Sequence, residues 1–173
     1  ENGTAYYVMD YLSGGSLSYL VQRNGVLPEA TALGYIRQVA DALSYIHARN
    51  INHLDIKPSN VLIDGNGNAV VIDFGLSKRY DETGSQTSTT PVGISHGFAP
   101  IEQYQPGGVS TFSPATDIYS LGATLYKLLS GQTPPNATAL LDADLDLSRL
   151  SASPTTKTAI VAAMQPKRKG RPQ

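Results

Sequence analysis

The chain has 173 residues, 40% of them hydrophobic, which suffices for one core of ordinary domain size and gives no reason to expect two. Thirteen Lys and Arg against fourteen Asp and Glu leave a formal net charge of −1, excluding a broad basic field for nucleic acid or an anionic membrane. Cysteine is absent, which excludes disulfides, thiolate metal sites and a cysteine nucleophile, and fits a reducing, cytoplasmic setting.

Along the chain, the β-branched and aromatic run Ala5-Tyr6-Tyr7-Val8-Met9 predicts a strand, and Ser13-Gly14-Gly15 breaks the extended segment after it. A helix is expected from Ser16 to about Arg23. Pro28 and Glu29 open a long amphipathic helix in which Leu33, Ile36, Val39, Ala40, Leu43 and Ile46 recur at three- and four-residue steps, up to about Arg49. Asn60-Val61-Leu62-Ile63 and Ala69-Val70-Val71-Ile72, separated by the turn-rich Asp64-Gly65-Asn66-Gly67-Asn68, predict a small hairpin. Residues 78–91 turn polar, and a long surface loop is expected there. Pro114 to about Ser130 is apolar around much of a helical circumference and belongs at the centre of a lobe. Gly131 caps that helix, Pro134-Pro135 forbids its continuation, and a last helix is expected near Thr155 to Met164. No apolar run approaches the roughly 18 residues of a membrane span, and the first residues lack a basic or apolar leader pattern. The reading is therefore mainly helical with one small hairpin.

Chemistry concentrates in the middle of the chain. Asp55 stands five residues before Asn60 with Lys57 between them, and Asp73 follows eighteen residues after Asp55, across the hairpin. Two acids, an Asn and a Lys are the parts phosphoryl transfer needs, because its catalysis consists of orienting a hydroxyl, clamping magnesium on a triphosphate and neutralising developing charge. Taken singly, Asp-x-x-x-x-Asn and Asp-Phe-Gly are commonplace loop sequences; their conjunction carries the signal.

His53-Leu54-Asp55-Ile56-Lys57-Pro58-Ser59-Asn60 followed by Asp73-Phe74-Gly75 resembles the catalytic loop and the magnesium motif of protein kinases, in correct order and separation. The resemblance implies a C-terminal kinase lobe of α+β type. Asp55 would accept the substrate hydroxyl proton, Lys57 would contact the transferred phosphate, and Asn60 and Asp73 would hold Mg2+. Lys57, two positions after the Asp, follows the serine/threonine pattern. ATP and a protein Ser or Thr are the implied substrates. Met9-Asp10-Tyr11-Leu12 resembles the hinge, with Met9 as gatekeeper and the backbone of Asp10 and Leu12 facing adenine; Ser16 falls where kinases touch the ribose, and Leu62 under the base. Ser16 and Leu62 have equally plain readings as a helix start and a core residue.

Downstream, Ser95-His96-Gly97-Phe98-Ala99-Pro100-Ile101-Glu102 resembles the segment that closes the activation loop, with Ser95 for its Thr and Ile101 for its Pro. Glu102 is expected to pair with Arg171, Asp117 to accept hydrogen bonds from the catalytic-loop backbone, and His53 to pack on Phe74 as structural support. Gln103 after Glu102 and the wording Tyr119-Ser120-Leu121-Gly122-Ala123 resemble bacterial members of the eukaryotic-like family.

Leu54 takes the place of an Arg that often meets an activation-loop phosphate, so activity is expected to be independent of phosphorylation at Thr87, Ser88, Thr89 or Thr90. The Gly-rich loop, strand Lys and helix Glu of the upper lobe do not occur before Met9. Residues 5–15 are therefore read as the end of that lobe and the hinge, residues 16–173 as the lower lobe, and the segment by itself is expected to bind nucleotide weakly and transfer negligibly. A pseudokinase scaffold and a small-molecule phosphotransferase of related fold are the alternative readings.

Overall fold

The computed structural model describes residues 8–88 and 93–172. At its centre is the helix α3, Pro114–Ser130, where thirteen of seventeen residues are buried, the pattern expected of a helix surrounded by others. Ser113 stands at its N-cap, Pro114 occupies the first turn where no N–H is needed, and Gly131 ends the helix in the left-handed conformation at φ 71°. Leu128 and Leu129 are fully buried, so truncating either to Ala would cost about 2–5 kcal/mol.

Around α3 pack α1 (Leu17–Asn24), α2 (Glu29–His47) and α4 (Pro154–Ala163), with one core cluster running through all four helices. The approach of α4 is close: a Cβ on Gly122 would lie 2.7 Å from the Cβ of Ala163. The helix α2 stops at His47, two residues short of the expected Arg49, because the chain tightens there and Asn50 turns left-handed at φ 55°. No helix among the described residues is long and apolar enough to cross a membrane.

Two antiparallel pairs complete the lobe. The hairpin forms as β2 (Val61–Ile63) and β3 (Ala69–Val71), with Val61 opposite Val71 and Ile63 opposite Ala69. The second pair, β1 (Ile51–Asn52) with β4 (Lys78–Arg79), corrects the expectation that residues 78–91 form only a surface loop. Lys78 and Tyr80 are both buried. Average polarity concealed an alternation in which Leu76, Lys78 and Tyr80 point to one side; backbone carbonyls and a side-chain amide satisfy the lysine, so it need not face water.

Most of the strand expected at Ala5–Met9 lies outside the described residues, and Val8–Met9 are not strand. The following strip is stitched to the hairpin: Gly14 N donates to Ile63 O at 3.0 Å and Ile63 N to Gly15 O at 2.8 Å. A Cβ on Gly14 would fall 2.7 Å from the Cβ of Ile63, so only glycine permits this approach.

Candidate active site

The loop between β1 and β2 is suspended from one carboxylate. Asp117, fully buried in the first turn of α3, accepts from the backbone N–H of His53 at 2.9 Å and of Leu54 at 2.8 Å. Asn52 Nδ2 at 3.0 Å and His47 Nε2 at 2.8 Å reach the same group. Burial alone would raise the pKa of this carboxyl, but the hydrogen bonds from His47, Asn52 and Leu54 outweigh it and hold the group below the usual carboxylate range. The family resemblance led to Asp117; the side chains of His47 and Asn52 were not anticipated, and nothing in their local pattern marks them.

A tilted ring contact and hydrogen bonds fix His53. Its ring lies 4.7 Å from that of Phe74, its Nδ1 accepts from Asp55 N at 3.3 Å, and its Nε2 faces Ile72 O at 3.1 Å. An accepting Nδ1 leaves the proton on Nε2, the neutral tautomer. Desolvation pushes the imidazole below its ordinary pKa in the same direction. His53 is thus a neutral strut between the loop and the end of β3.

Asp55 is buried and closely surrounded. Its Oδ2 accepts from Lys57 Nζ and from Asn60 Nδ2, both at 2.8 Å, and its Oδ1 accepts from Ser95 Oγ at 2.5 Å. Lys57 Nζ also donates to Ser95 Oγ at 2.9 Å, closing a triangle of acid, base and hydroxyl. The serine that stands for threonine at residue 95 therefore makes the bridging contacts. Asn60 Nδ2 donates in addition to the Asp55 carbonyl at 2.9 Å, so its donor side turns into the loop.

The hairpin returns the chain to this edge: Ile72 N donates to Asn60 O at 2.9 Å, one residue before Asp73. Asp73 is exposed and left-handed at φ 63°; its Oδ1 accepts from Gly75 N at 3.2 Å. Asn60 and Asp73 supply hard oxygen donors, the type Mg2+ takes when one or two protein groups and substrate phosphates share its shell. Among the described residues no three His, Cys, Asp or Glu converge on a point, so the site is not an all-protein metal cage.

The expected nucleotide contacts are less uniform. Ser16 is the N-cap of α1 and accepts from Tyr19 N at 3.1 Å, so its plain reading as a helix start is realised. It also bridges to Leu62 across the strip, which brings those two residues together beside the catalytic loop. Met9 and Asp10 are exposed and Leu12 is half-buried.

Below the loop, Glu102 and Arg171 form the expected pair at 2.7 and 3.1 Å. Arg171 also donates to the carbonyls of Gln165, Ala115 and Pro166, which compensates its burial. Pro100 is extended and Ile101 starts a short 3-10 turn, Ile101–Tyr104, so the exchanged Pro and Ile are accommodated without distortion. Leu54 packs with Tyr80 and Val109, against Leu76 and Phe112. Lys78 holds the same region by donating from Nζ to Gln86 Oε1, Gly107 O and Val109 O at 2.9, 2.8 and 3.3 Å. Sequence reading missed this lysine, though its place two residues from Leu76 and from Tyr80 was the available signal.

Residues 1–163 match the protein kinase domain. The chain is 38% identical over 129 residues to the serine/threonine-protein kinase RUNKEL of Arabidopsis thaliana, covering 75% of this chain and 9% of that protein. It is 40% identical over 130 residues to human serine/threonine-protein kinase Sgk1, covering 75% and 29% respectively. The serine/threonine-protein kinase drp72 of Corynebacterium efficiens is 40% identical over 129 residues, covering 75% and 24%. The chain thus spans less than a third of the length of these curated relatives. With 163 of 173 residues inside the domain match and a mainly helical lobe bearing small antiparallel sheets, the chain belongs to the eukaryotic-like serine/threonine protein kinase family.

Proposed function

We propose that this chain is the lower lobe of a serine/threonine protein kinase, transferring the γ-phosphate of ATP to a protein Ser or Thr hydroxyl. The observation that carries this reading is the Asp55–Lys57–Ser95–Asn60 cluster, with its donor–acceptor distances of 2.5–2.9 Å. In the proposed reaction the substrate oxygen bonds to the γ-phosphorus, the bond to the β–γ bridging oxygen breaks, ADP leaves, and the hydroxyl proton passes to Asp55. Asp55 Oδ1 already accepts one hydroxyl, that of Ser95, and a carboxylate oxygen has lone-pair capacity for a second. Lys57 offers its remaining N–H to the transferred phosphoryl group. Asn60 and Asp73 would hold Mg2+, which supplies charge neutralisation on the phosphates. Met9, Asp10, Leu12, Ser16 and Leu62 would border the nucleotide.

An apolar groove of about 390 Å³, lined by Tyr45, Ile46, Val70, Val71 and Phe74 among others, opens beside the site. Together with exposed Val8, Met9 and Tyr11, it supports docking of an upper lobe that roofs the nucleotide. The test is phosphotransfer from labelled Mg-ATP to a mixed protein substrate by the full-length kinase, its Asp55→Asn variant and the 173-residue chain alone. We expect a loss on the order of a hundredfold to ten-thousandfold in the variant, the range for general-base removal, and negligible transfer by the lone chain. Equal rates for Asp55→Asn and wild type would refute the catalytic assignment. No transfer by the wild type would favour a scaffold, and full activity of the lone chain would refute the two-lobe reading.

A further inference from the structure

Leu54, immediately before Asp55, has φ 66°, a conformation unfavourable for a branched side chain. Two buried side chains hold it there. Asp117 Oδ1 accepts from its N–H at 2.8 Å, and Gln103 Nε2 donates to its carbonyl at 2.8 Å. That carbonyl belongs to the peptide bond joining Leu54 to Asp55, so the direction in which Asp55 leaves the backbone depends on it.

Gln103 lies in the 3-10 turn Ile101–Tyr104, next to Glu102, and the two side chains reach different partners. Glu102 is tied to Arg171, while Gln103, 4% exposed, reaches into the catalytic loop. The Gln103 amide has a single side-chain hydrogen bond, the one to Leu54, because its Oε1 is buried without a partner among the described residues. Reversing the amide would set oxygen against oxygen, so the Leu54 carbonyl dictates its orientation. An unpaired buried carbonyl is unfavourable for folding, and an apolar side chain of similar volume would remove it while leaving the buried Leu54 carbonyl without its Gln103 donor. One unpaired carbonyl would replace another, so net stability by itself gives no strong preference for glutamine here.

We propose that Gln103 is a positioning residue for phosphoryl transfer: its hydrogen bond to the Leu54 carbonyl holds the left-handed turn that aims the Asp55 carboxylate. This rests on the kinase reading above.

The experiment measures single-turnover transfer by the full-length kinase at saturating Mg-ATP, with KM for ATP and Tm, for Gln103→Met alone and in a Leu54→Gly background. Methionine keeps the length of the side chain and removes the donor. Loss of one hydrogen bond corresponds to about a tenfold slower transfer, with KM for ATP within about twofold and Tm little changed, since one unpaired buried carbonyl replaces another. Glycine adopts the left-handed conformation without penalty, so Gln103→Met should cost clearly less in the Leu54→Gly background. Wild-type transfer in folded Gln103→Met overturns the proposal, as does an equal loss in both backgrounds. If Gln103→Met does not fold, Gln103→Asn, one methylene short of the carbonyl, is read against the same criteria. Failure of the kinase reading is distinguishable, since the wild type would then show no transfer at all.

Discussion

The catalytic loop and the Asp73 turn carry one key carboxylate each, and the fold treats them in opposite ways. Asp55 is buried and meets three donors, from Lys57, Asn60 and Ser95. Asp73 is exposed and accepts one backbone bond at 3.2 Å. On the proposed phosphoryl-transfer reading, the contrast separates two demands. A group that aims a hydroxyl must be held in place before the substrate arrives, and its surroundings do this with fixed dipoles and a cation. A group that shares a metal with a triphosphate needs open coordination sites, so a protein that filled them would compete with its own ligand.

The strongest way to break this comparison is to alter each acid in the full-length kinase. Asp73→Asn should reduce transfer by about a thousandfold, several kcal/mol of charge stabilisation, while unfolding stability changes by no more than about 0.5 kcal/mol. Part of the lost activity should return as Mg2+ is raised. Asp55→Ala should lose stability as well, about 1–3 kcal/mol, because buried donors are left unpaired. Equal stability losses at the two positions, measured by denaturant unfolding, would show that the distinction is false.

A smaller effect concerns the strut between the two regions. The pKa of His53 is depressed by desolvation, so the unfolded chain binds a proton in a range where the native protein does not. Its contribution is complete above the unfolded value near pH 6.5 and declines as pH falls through the lower folded value. Asp117, whose pKa is also depressed, acts on stability only below about pH 4. Thermal unfolding between pH 7.5 and 5 should therefore decline less steeply in His53→Gln than in the wild type; parallel slopes would place the titration elsewhere.

The smallest expected effect lies in the activation segment. Leu54, Tyr80 and Val109 pack together there, and Lys78 is satisfied by a carboxamide and two carbonyls, so order in this part of the segment does not call on a phosphate. Thr89 and Thr90 lie outside the described residues. Replacing Thr87, Ser88, Thr89 and Thr90 together by Ala should leave turnover within about twofold, since exposed side-chain hydrogen bonds contribute little. A collapse of turnover in the folded variant would reassign control to a phosphate in this segment.

Local pattern accounts for much of the lobe. The apolar spacing of residues 29–47 and the all-round apolarity of residues 114–130 delimited α2 and α3 to within two residues. Turn chemistry at Asp64–Asn68 located the hairpin, and this in turn predicted the return of Asp73 toward Asn60. Asp55, Lys57, Asn60 and Asp73 were legible because their types and spacing sit in one continuous stretch, whereas Ser95 was reached only through the family resemblance. The β1–β4 pair was not legible: two-residue strands more than twenty residues apart have no period of their own.

By itself, the sequence determined the helices, the hairpin and the set Asp55, Lys57, Asn60 and Asp73, because propensity, turn chemistry and short-range spacing act within a few residues of chain. Only the tertiary structure decided what holds that set in place: His47 and Asn52 on Asp117, Lys78 among carbonyls, and Gln103 on the Leu54 carbonyl. The physical reason is that a buried polar group is tolerated where a partner meets it, and that partner comes from wherever the folded chain passes.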